Sequence, residues 1–278
     1  MSWILKRIQV VLIFPLLIYS CNNKSTEEMQ EDNTYELVWS DEFDYLGAPD
    51  STKWSYDLGD GCPNICGWGN NELQYYTSDY KNVRVKDDRL IIEAHKDSGD
   101  SLKPYSSTRL LSKNKGDWKY GKIEVKAKIP SGRGTWSAIW MLPTDWQYGG
   151  WPKSGEIDIM EHVGFDQGNI HGTVHTEAYN GSRGTQKGDS ILVESASDEF
   201  VVYAIKWTPD SIEFVVNGEI YNIFTNEGSG FEAWPFDQKF HLLLNVAVGG
   251  NWGGREGVDD AIWPRKMEVD YVRIYEKN

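Results

Sequence analysis

The stretch Gly121-Lys-Ile-Glu-Val-Lys-Ala-Lys-Ile129 alternates apolar and charged residues from Ile123 onward. A period of two is typical of a β-strand that turns one face to a core and the other to water. Similar runs lie at residues 90–94, 211–216 and 266–275, and Asn217-Gly218 after one of them predicts a tight hairpin turn. The chain is therefore predicted to be built from strands.

Many short strands without interleaved helices predict an all-β sandwich of two antiparallel sheets, because parallel strands would need crossover helices. The sequence has 278 residues, and nothing after Asn33 reads as a repeat or an interdomain linker. All-β sandwiches often reach about 200–250 residues as one domain. We therefore expect a single folded domain over residues 34–278.

The N-terminus has the pattern of an export signal. Lys6 and Arg7 precede a mostly apolar run over residues 8–19, which is too short for a permanent span of about 20 residues. Ile18-Tyr19-Ser20-Cys21 is similar to a bacterial lipobox, which predicts a signal peptide over residues 1–20 and a lipid on Cys21. Ordinary cleavage near Ser20 and a membrane anchor are the alternatives. Residues 21–33 are polar and predict a tether, so we expect a lipoprotein of a bacterial cell envelope, in the outer membrane.

Composition narrows the class of partner. The 40% hydrophobic and 25% charged residues are typical of a soluble globular domain. The formal net charge is −14, and removal of the leader, which holds two basic and no acidic residues, leaves −16. Such a charge disfavours nucleic acid as a partner and makes a neutral polysaccharide more plausible than a sulfated one.

Cys62 and Cys66 are the cysteines that remain when Cys21 is set aside. In an exported protein this close pair favours a small disulfide loop. Zinc is the alternative, but it would need further Cys or His ligands nearby, and the sequence has none there.

The segment Ser154-Gly-Glu-Ile-Asp-Ile-Met-Glu-His162 concentrates acidic residues. On a strand, Glu156 and Asp158 share one face while the isoleucines enter the core. Glu161 falls out of phase, so the segment predicts a β-bulge near Ile159 or Met160 that returns Glu161 to the face of the other two acids. A merely solvated strand face is the alternative, which the many nearby tryptophans disfavour.

This acidic segment resembles the signature of glycoside hydrolase family 16, in its laminarinase-like branch. The likeness extends over the stretches at residues 39–44, 68–76, 120–126, 134–143 and 245–252. It implies a jelly-roll β-sandwich with a concave sheet that forms an open cleft. By the same resemblance Glu156 is the nucleophile, Glu161 the acid/base and Asp158 their helper.

Retaining chemistry agrees with this reading, since it uses two carboxyl groups about 5–5.5 Å apart. We expect internal hydrolysis of β-1,3-glucan such as laminarin, with mixed-linked 1,3-1,4-glucan as a possible further substrate. The alternatives are a galactan hydrolase of the same family, which would cleave agarose or porphyran, and a non-catalytic glycan-binding protein. No catalytic cofactor is expected, and the protein is expected to be a monomer.

Several side chains are candidates for binding the sugar chain. Flat indoles stack on pyranose faces, although core packing is the alternative role of tryptophan. Family resemblance adds polar positions, each of which could instead satisfy a turn or the backbone. The candidates are Trp136, Trp140, Trp151, Trp252, Asn71, Glu72, Arg109, Asn245 and His175.

Glu42 and Asp270 are similar to the side-chain ligands of a structural calcium ion in the family. Two carboxylates do not complete such a site, because calcium takes about six to eight oxygen ligands. The resemblance implies a structural role for calcium, and further oxygen ligands would have to come from backbone carbonyls and water.

Overall fold

The structure is a computed structural model that describes residues 34–97 and 103–278. Cys21, the predicted signal peptide and the predicted tether lie outside the described residues. Residues 34–278 form one compact unit. The strands, in chain order, are β1 (Tyr35–Asp41), β2 (Ser55–Asp57), β3 (Gln74–Tyr76), β4 (Val83–Val85), β5 (Leu90–Lys96), β6 (Tyr105–Ser107), β7 (Arg109–Leu111), β8 (Asp117–Trp118), β9 (Gly121–Lys128), β10 (Thr135–Pro143), β11 (Glu156–Val163), β12 (Asn169–His175), β13 (Lys187–Leu192), β14 (Val201–Trp207), β15 (Ser211–Val216), β16 (Glu219–Thr225), β17 (Phe240–Val248) and β18 (Arg265–Lys277).

These strands form two sheets packed as a sandwich, which confirms the predicted all-β class. The first sheet has the order β16-β15-β14-β9-β18-β5-β6-β3, with β1 beside β18 and β4 beside β5. The second has the order β13-β12-β11-β10-β17-β7-β2, with β8 beside β17. Short 3-10 turns at Cys66–Gly69 and Gly181–Arg183 are the helical elements of the described residues.

The strands predicted from the alternating runs are present at the predicted positions. On β9, Ile123, Val125 and Ala127 are fully buried, as their period of two requires. The Asn217-Gly218 pair joins β15 to β16, and both residues have positive φ, at 49° and 87°. Two positive φ values in succession are what a type I′ hairpin turn needs.

One strand pair departs from the antiparallel prediction. β3 and β6 run parallel, with Gln74 opposite Tyr105. Parallel neighbours need a long connection, and here the strands β4 and β5 supply it in place of a crossover helix.

The hydrophobic core lies between the sheets. β17 is buried along its whole length, and Leu242, Leu244 and Val246 belong to the core. The intervening residues, among them Asn245, point to the opposite face of the sheet. We call this opposite face the site face; it also carries Trp136 and Trp140 of β10, which alternate with core residues.

No helix within the described ranges is long and apolar enough to cross a membrane.

Candidate active site

The bulge predicted in β11 is present. Met160 is fully buried in the core directly after Ile159, so two consecutive residues point inward. The residues of β12 that pair with Asp158 and Glu161 are only two apart, although Asp158 and Glu161 are three apart. On β10 the partner of Met160 is followed at once by the partner of Asp158, which makes Ile159 the extra residue. This extra residue returns Glu161 to the site face with Asp158.

His175 of β12 completes the acidic group. It pairs with Glu156 across the two strands. Its Nε2 lies 3.2 Å from Asp158 Oδ2 and 3.9 Å from Glu156 Oε1. The backbone N–H of Gly181 donates to His175 Nδ1 at 3.1 Å. A neutral ring therefore keeps its proton on Nε2, the ring nitrogen that lies near the carboxylates.

Burial controls the protonation of the acids. Burial, with a further contribution from the charge of Glu156, raises the pKa of Glu161 to about 7, against the lowering effects of His175 and of the hydrogen bond from Trp136. Burial and the charges of Glu156 and Glu161 raise the pKa of Asp158 well above its usual range. Crowded carboxyl groups that resist joint ionisation are typical of glycosidase sites.

Two influences oppose each other at His175. Burial lowers its pKa, but the hydrogen bond with Asp158 and the charges of the carboxylates outweigh burial and raise the pKa to about 9. The Gly181 N–H acts against that rise, because an imidazolium would need Nδ1 as a donor. The raised pKa favours the charged ring and the Gly181 contact favours the neutral ring, so both influences decide the charge of His175.

Glu156, Asp158 and His175 are also the one group of metal-ligating side chains found in the described part of the chain, with ligand atoms within 4.8 Å of one another. A histidine that binds a metal usually donates its other N–H to an acceptor. His175 Nδ1 accepts a hydrogen bond instead, so Nε2 presents a proton rather than a lone pair. The trio fits a hydrogen-bonded acid cluster better than a metal centre.

Trp136 contacts the carboxylate of Glu161 and packs against Trp252. Trp136 Nε1–H donates to Glu161 Oε1 at 3.0 Å. The ring of Trp252 meets Trp136 edge-on at 5.7 Å and His171 edge-on at 5.0 Å. Trp136 therefore acts on the acid itself besides offering a ring to a sugar.

Trp151 lies on the other side of the acidic group. Its side chain is 44% exposed, and its ring centroid lies 6.0 Å from that of His175. An exposed indole beside the acids is available for stacking on a sugar ring. The structure therefore brings this predicted residue to the site.

A row of paired residues extends from Glu161 across the sheet. Glu161 pairs with Ala138 of β10, Ala138 with Asn245 of β17, and Asn245 with Arg109 of β7. Neighbouring strands lie about 4.8 Å apart, and this row of residues crosses the four strands β11, β10, β17 and β7 of the second sheet. Trp140 joins it, since its Nε1–H donates to Asn245 Oδ1 at 2.7 Å.

Glu72 is buried in a network of hydrogen bonds, which the sequence did not predict. It is 7% exposed, and its carboxylate accepts hydrogen bonds from Gln74 at 2.6 Å, Tyr76 at 3.3 Å and Asn70 at 3.4 Å. Both carboxylate oxygens therefore accept hydrogen bonds from protein donors, and a contact of Glu72 with sugar hydroxyls stays a prediction. Burial raises its pKa accordingly.

The other polar candidates divide in the same way. Arg109 and Asn245 are 8% and 6% exposed, so most of their surface faces protein groups. Asn71 is exposed, and its side chain donates to Asn251 Oδ1 at 2.8 Å, next to Trp252. The structure therefore keeps Asn71 at the surface of the site and sets Arg109 and Asn245 largely beneath it.

Sequence reasoning missed Tyr76, Gln74 and Trp68, which contact these candidates. A signal was present at residues 72–74, where Leu73 stands between the polar residues Glu72 and Gln74. In the structure Glu72 and Gln74 are buried while Leu73 is exposed, the reverse of the usual pattern. Such inverted alternation indicates a polar network, but only the structure shows which partners it joins.

Glu42 and Asp270, the predicted calcium ligands, are both ion-paired. The Glu42 carboxylate accepts two hydrogen bonds from Arg273, at 3.0 and 2.8 Å, and Asp270 lies 2.8 Å from Lys126. Because a cation already matches each carboxylate, the side chains as placed do not form a calcium site, and calcium stays a prediction. Cys62 and Cys66 are joined by a disulfide.

The model of the family described as glycosyl hydrolases family 16 matches residues 70–273 of the chain. The chain is 49% identical over 267 residues to a β-glucanase of Rhodothermus marinus, covering 93% of this chain and 91% of that protein. This protein belongs to glycosyl hydrolase family 16. The match confirms the family predicted from the acidic segment.

Solved structures of family 16 enzymes are similar to this fold over most of its length. The laminarinase of Rhodothermus marinus superimposes with a TM-score of 0.84 at 52% identity, covering 88% of this chain and 98% of that one. A mutant of SCLam, a non-specific endo-β-1,3(4)-glucanase of the family, was co-crystallised with a glucan oligosaccharide; its TM-score is 0.82 at 47% identity, with 87% of this chain and 95% of that chain covered. The family 16 sandwich accounts for essentially all the described residues.

Proposed function

We propose that this protein is a retaining endo-glycosidase that hydrolyses internal β-1,3 linkages of β-glucan, with some tolerance for mixed 1,3-1,4 linkages. The observation that carries the proposal is the bulge in β11, which sets Glu161, with a pKa of about 7, on the face that carries Asp158. A carboxyl group that holds its proton near neutral pH suits a general acid. The glucanase and laminarinase relatives support the choice of β-glucan.

The reaction proceeds by double displacement. The Glu156 carboxylate attacks the anomeric carbon while Glu161 gives its proton to the glycosidic oxygen, so the bond to the leaving sugar breaks and a glycosyl ester forms. Glu161, now ionised, takes a proton from water, whose oxygen attacks the same carbon and releases Glu156. Two inversions retain the β configuration. A sugar hydroxyl in place of water would give transglycosylation by the same step.

Asp158 and His175 manage protons around the nucleophile. Asp158 lies between the two glutamates in sequence and is 2% exposed, and its Oδ2 lies 3.2 Å from His175 Nε2. A proton held between these two side chains limits the negative charge near Glu156 when Glu161 ionises. Asp158 therefore serves as the helper of the pair.

Glu156→Gln tests the assignment. The variant should release no reducing sugar from laminarin yet still bind laminari-oligosaccharides, because the amide keeps the shape of the site but cannot form the ester. The wild type, assayed on laminarin, lichenan, agarose, porphyran and carrageenan, should release oligosaccharides from the two glucans, and NMR should identify the β anomer as the first product. Undiminished release by Glu156→Gln, or an initial α product, contradicts the mechanism; cleavage of agarose or porphyran alone contradicts the substrate.

We also propose that the protein is exported and lipidated on Cys21, in the outer membrane of a bacterial envelope. The basic start, the short apolar run and the lipobox-like junction support this location. The polar segment over residues 21–33 would then separate the lipid from the folded domain.

A further inference from the structure

A directional chain of hydrogen bonds leads from Trp140 into the protein. Trp140 Nε1–H donates to Asn245 Oδ1 at 2.7 Å, and Asn245 Nδ2 donates to the Tyr76 hydroxyl at 3.1 Å. The Tyr76 hydroxyl in turn donates to Glu72 Oε2 at 3.3 Å. An indole nitrogen only donates and a carboxylate only accepts, so the two ends fix the direction of every bond between them, including the orientation of the Asn245 amide.

The inner end of this chain is anchored to β17. Gln74 Nε2 donates to Glu72 Oε2 at 2.6 Å, and Gln74 Oε1 accepts the backbone N–H of Val248 at 2.8 Å. Gln74 and Tyr76 are both completely buried. A buried and fully partnered polar network is rigid, because any rotation leaves a donor or acceptor unsatisfied.

A second contact restrains the face of the same indole. The Arg109 guanidinium lies 4.7 Å from the centroid of Trp140 and 4.5 Å from that of Trp68, so it sits against both rings. Arg109 Nε lies 3.1 Å from Asp57 Oδ2. With its nitrogen held by Asn245 and one side held by Arg109, Trp140 keeps the remaining face for a ligand.

We propose that Tyr76 is a positioning residue that fixes the Trp140 indole for stacking against a glucosyl ring of the bound chain. This inference rests on the proposed function, since it takes β-glucan as the ligand of the site face. Tyr76 has no exposed surface with which to touch a sugar. It acts by removing the freedom of Asn245 and, through Asn245, of Trp140, which lowers the ordering cost of binding.

Calorimetric titration of laminarihexaose into Glu156→Gln protein tests the proposal, because that parent binds without cleaving. Adding Tyr76→Phe removes one hydroxyl and keeps the ring that packs 5.5 Å from Trp68. We expect affinity to fall by about three- to tenfold, the effect of losing a hydrogen bond that orients a binding group. In the otherwise wild-type enzyme the same change should raise KM for laminarin and leave kcat nearly constant.

Tyr203→Phe is the matched control. Tyr203 lies on β14 of the other sheet, is likewise fully buried, and its hydroxyl has no hydrogen-bond partner among the described residues. Loss of that hydroxyl should leave affinity unchanged. An equal loss of affinity in Tyr203→Phe would assign the effect to the fold in general and overturn the positioning role.

A double-mutant cycle with Trp140→Phe separates positioning from stability. Phenylalanine lacks the N–H that begins the chain, so Tyr76→Phe should have little further effect on affinity in the Trp140→Phe background. The same loss in both backgrounds, or wild-type affinity in Tyr76→Phe, overturns the proposal. If instead the wild type fails to cleave laminarin and Glu156→Gln fails to bind the hexasaccharide, the proposed function falls and takes this inference with it.

Discussion

At the scale of single residues, Glu161 shows how its surroundings select one protonation state. Burial raises its pKa to about 7, while the Trp136 N–H stabilises the charged form and lowers it. As general acid, Glu161 must hold its proton, so activity is lost as pH rises through its pKa. Trp136 thus lowers the upper limit of the working pH range, which burial of Glu161 raises.

Trp136→Phe should move the alkaline limb of the kcat/KM profile to higher pH. Removing the indole N–H removes a donor to the ionised carboxylate, so the pKa of Glu161 rises. The profile should be measured with a soluble laminari-oligosaccharide between pH 5 and about 10, and the position of the limb read separately from its height. Trp140→Phe is the control, since its N–H donates to Asn245; a limb that stays in place in Trp136→Phe contradicts the assignment.

At the scale of the element, the bulge in β11 decides which side chains reach the site. Ile159 and Met160 both enter the core, and this double inward step allows Glu161 to share a face with Asp158. In a regular strand Met160 would take the side of the acids and Glu161 would meet the core. A buried methionine and a functional glutamate are therefore two consequences of one extra residue.

Met160→Ala tests this arrangement through stability. Truncating a fully buried methionine should cost about 2–5 kcal/mol of unfolding free energy, measured by chemical denaturation. Thr173→Ala, on the neighbouring strand opposite Asp158 and only half-buried, should cost about 1 kcal/mol or less. Equal small losses in both variants would mean that Met160 lies on the exposed face and that the bulge is absent.

At the scale of the whole molecule, the two sheets have different roles. The first sheet covers the core, and the site face of the second carries the acids together with Trp136 and Trp140. The acidic net charge leaves a neutral polysaccharide as a suitable substrate. The proposed lipid on Cys21 would attach the protein to a membrane.

Cys21→Ala tests the attachment in the full-length protein expressed in a bacterial host. Without the cysteine no lipid can be added, so the protein should move from the membrane fraction to the soluble fraction of the envelope. Cys62→Ala controls for loss of a cysteine elsewhere and should leave the fractionation unchanged. Wild-type protein found in the soluble fraction contradicts lipidation.

The acidic segment shows which structural features can be predicted from a local sequence pattern. Its alternation, together with the position of Glu161 out of phase, predicted both the strand and the bulge, because side-chain direction in a strand depends on neighbours along the chain. Glu72 was predicted to bind the sugar from family resemblance and not from a local pattern, and that role stays a prediction. In the structure Tyr76, Gln74 and Asn70 donate hydrogen bonds to its carboxylate, and the sequence alone does not show which residues will be these partners.

Residue types and short spacings were enough to predict the all-β class, the strands with a clear period of two, the family and the acids of β11. Three contacts could be seen only in the folded protein. They are the hydrogen-bonded path from Trp140 through Asn245 to Tyr76, the position of Arg109 between two indoles, and the hydrogen bond from Gly181 to His175. These contacts join residues far apart in the chain, and their energies depend on distance and burial, which exist only once the sheets have packed.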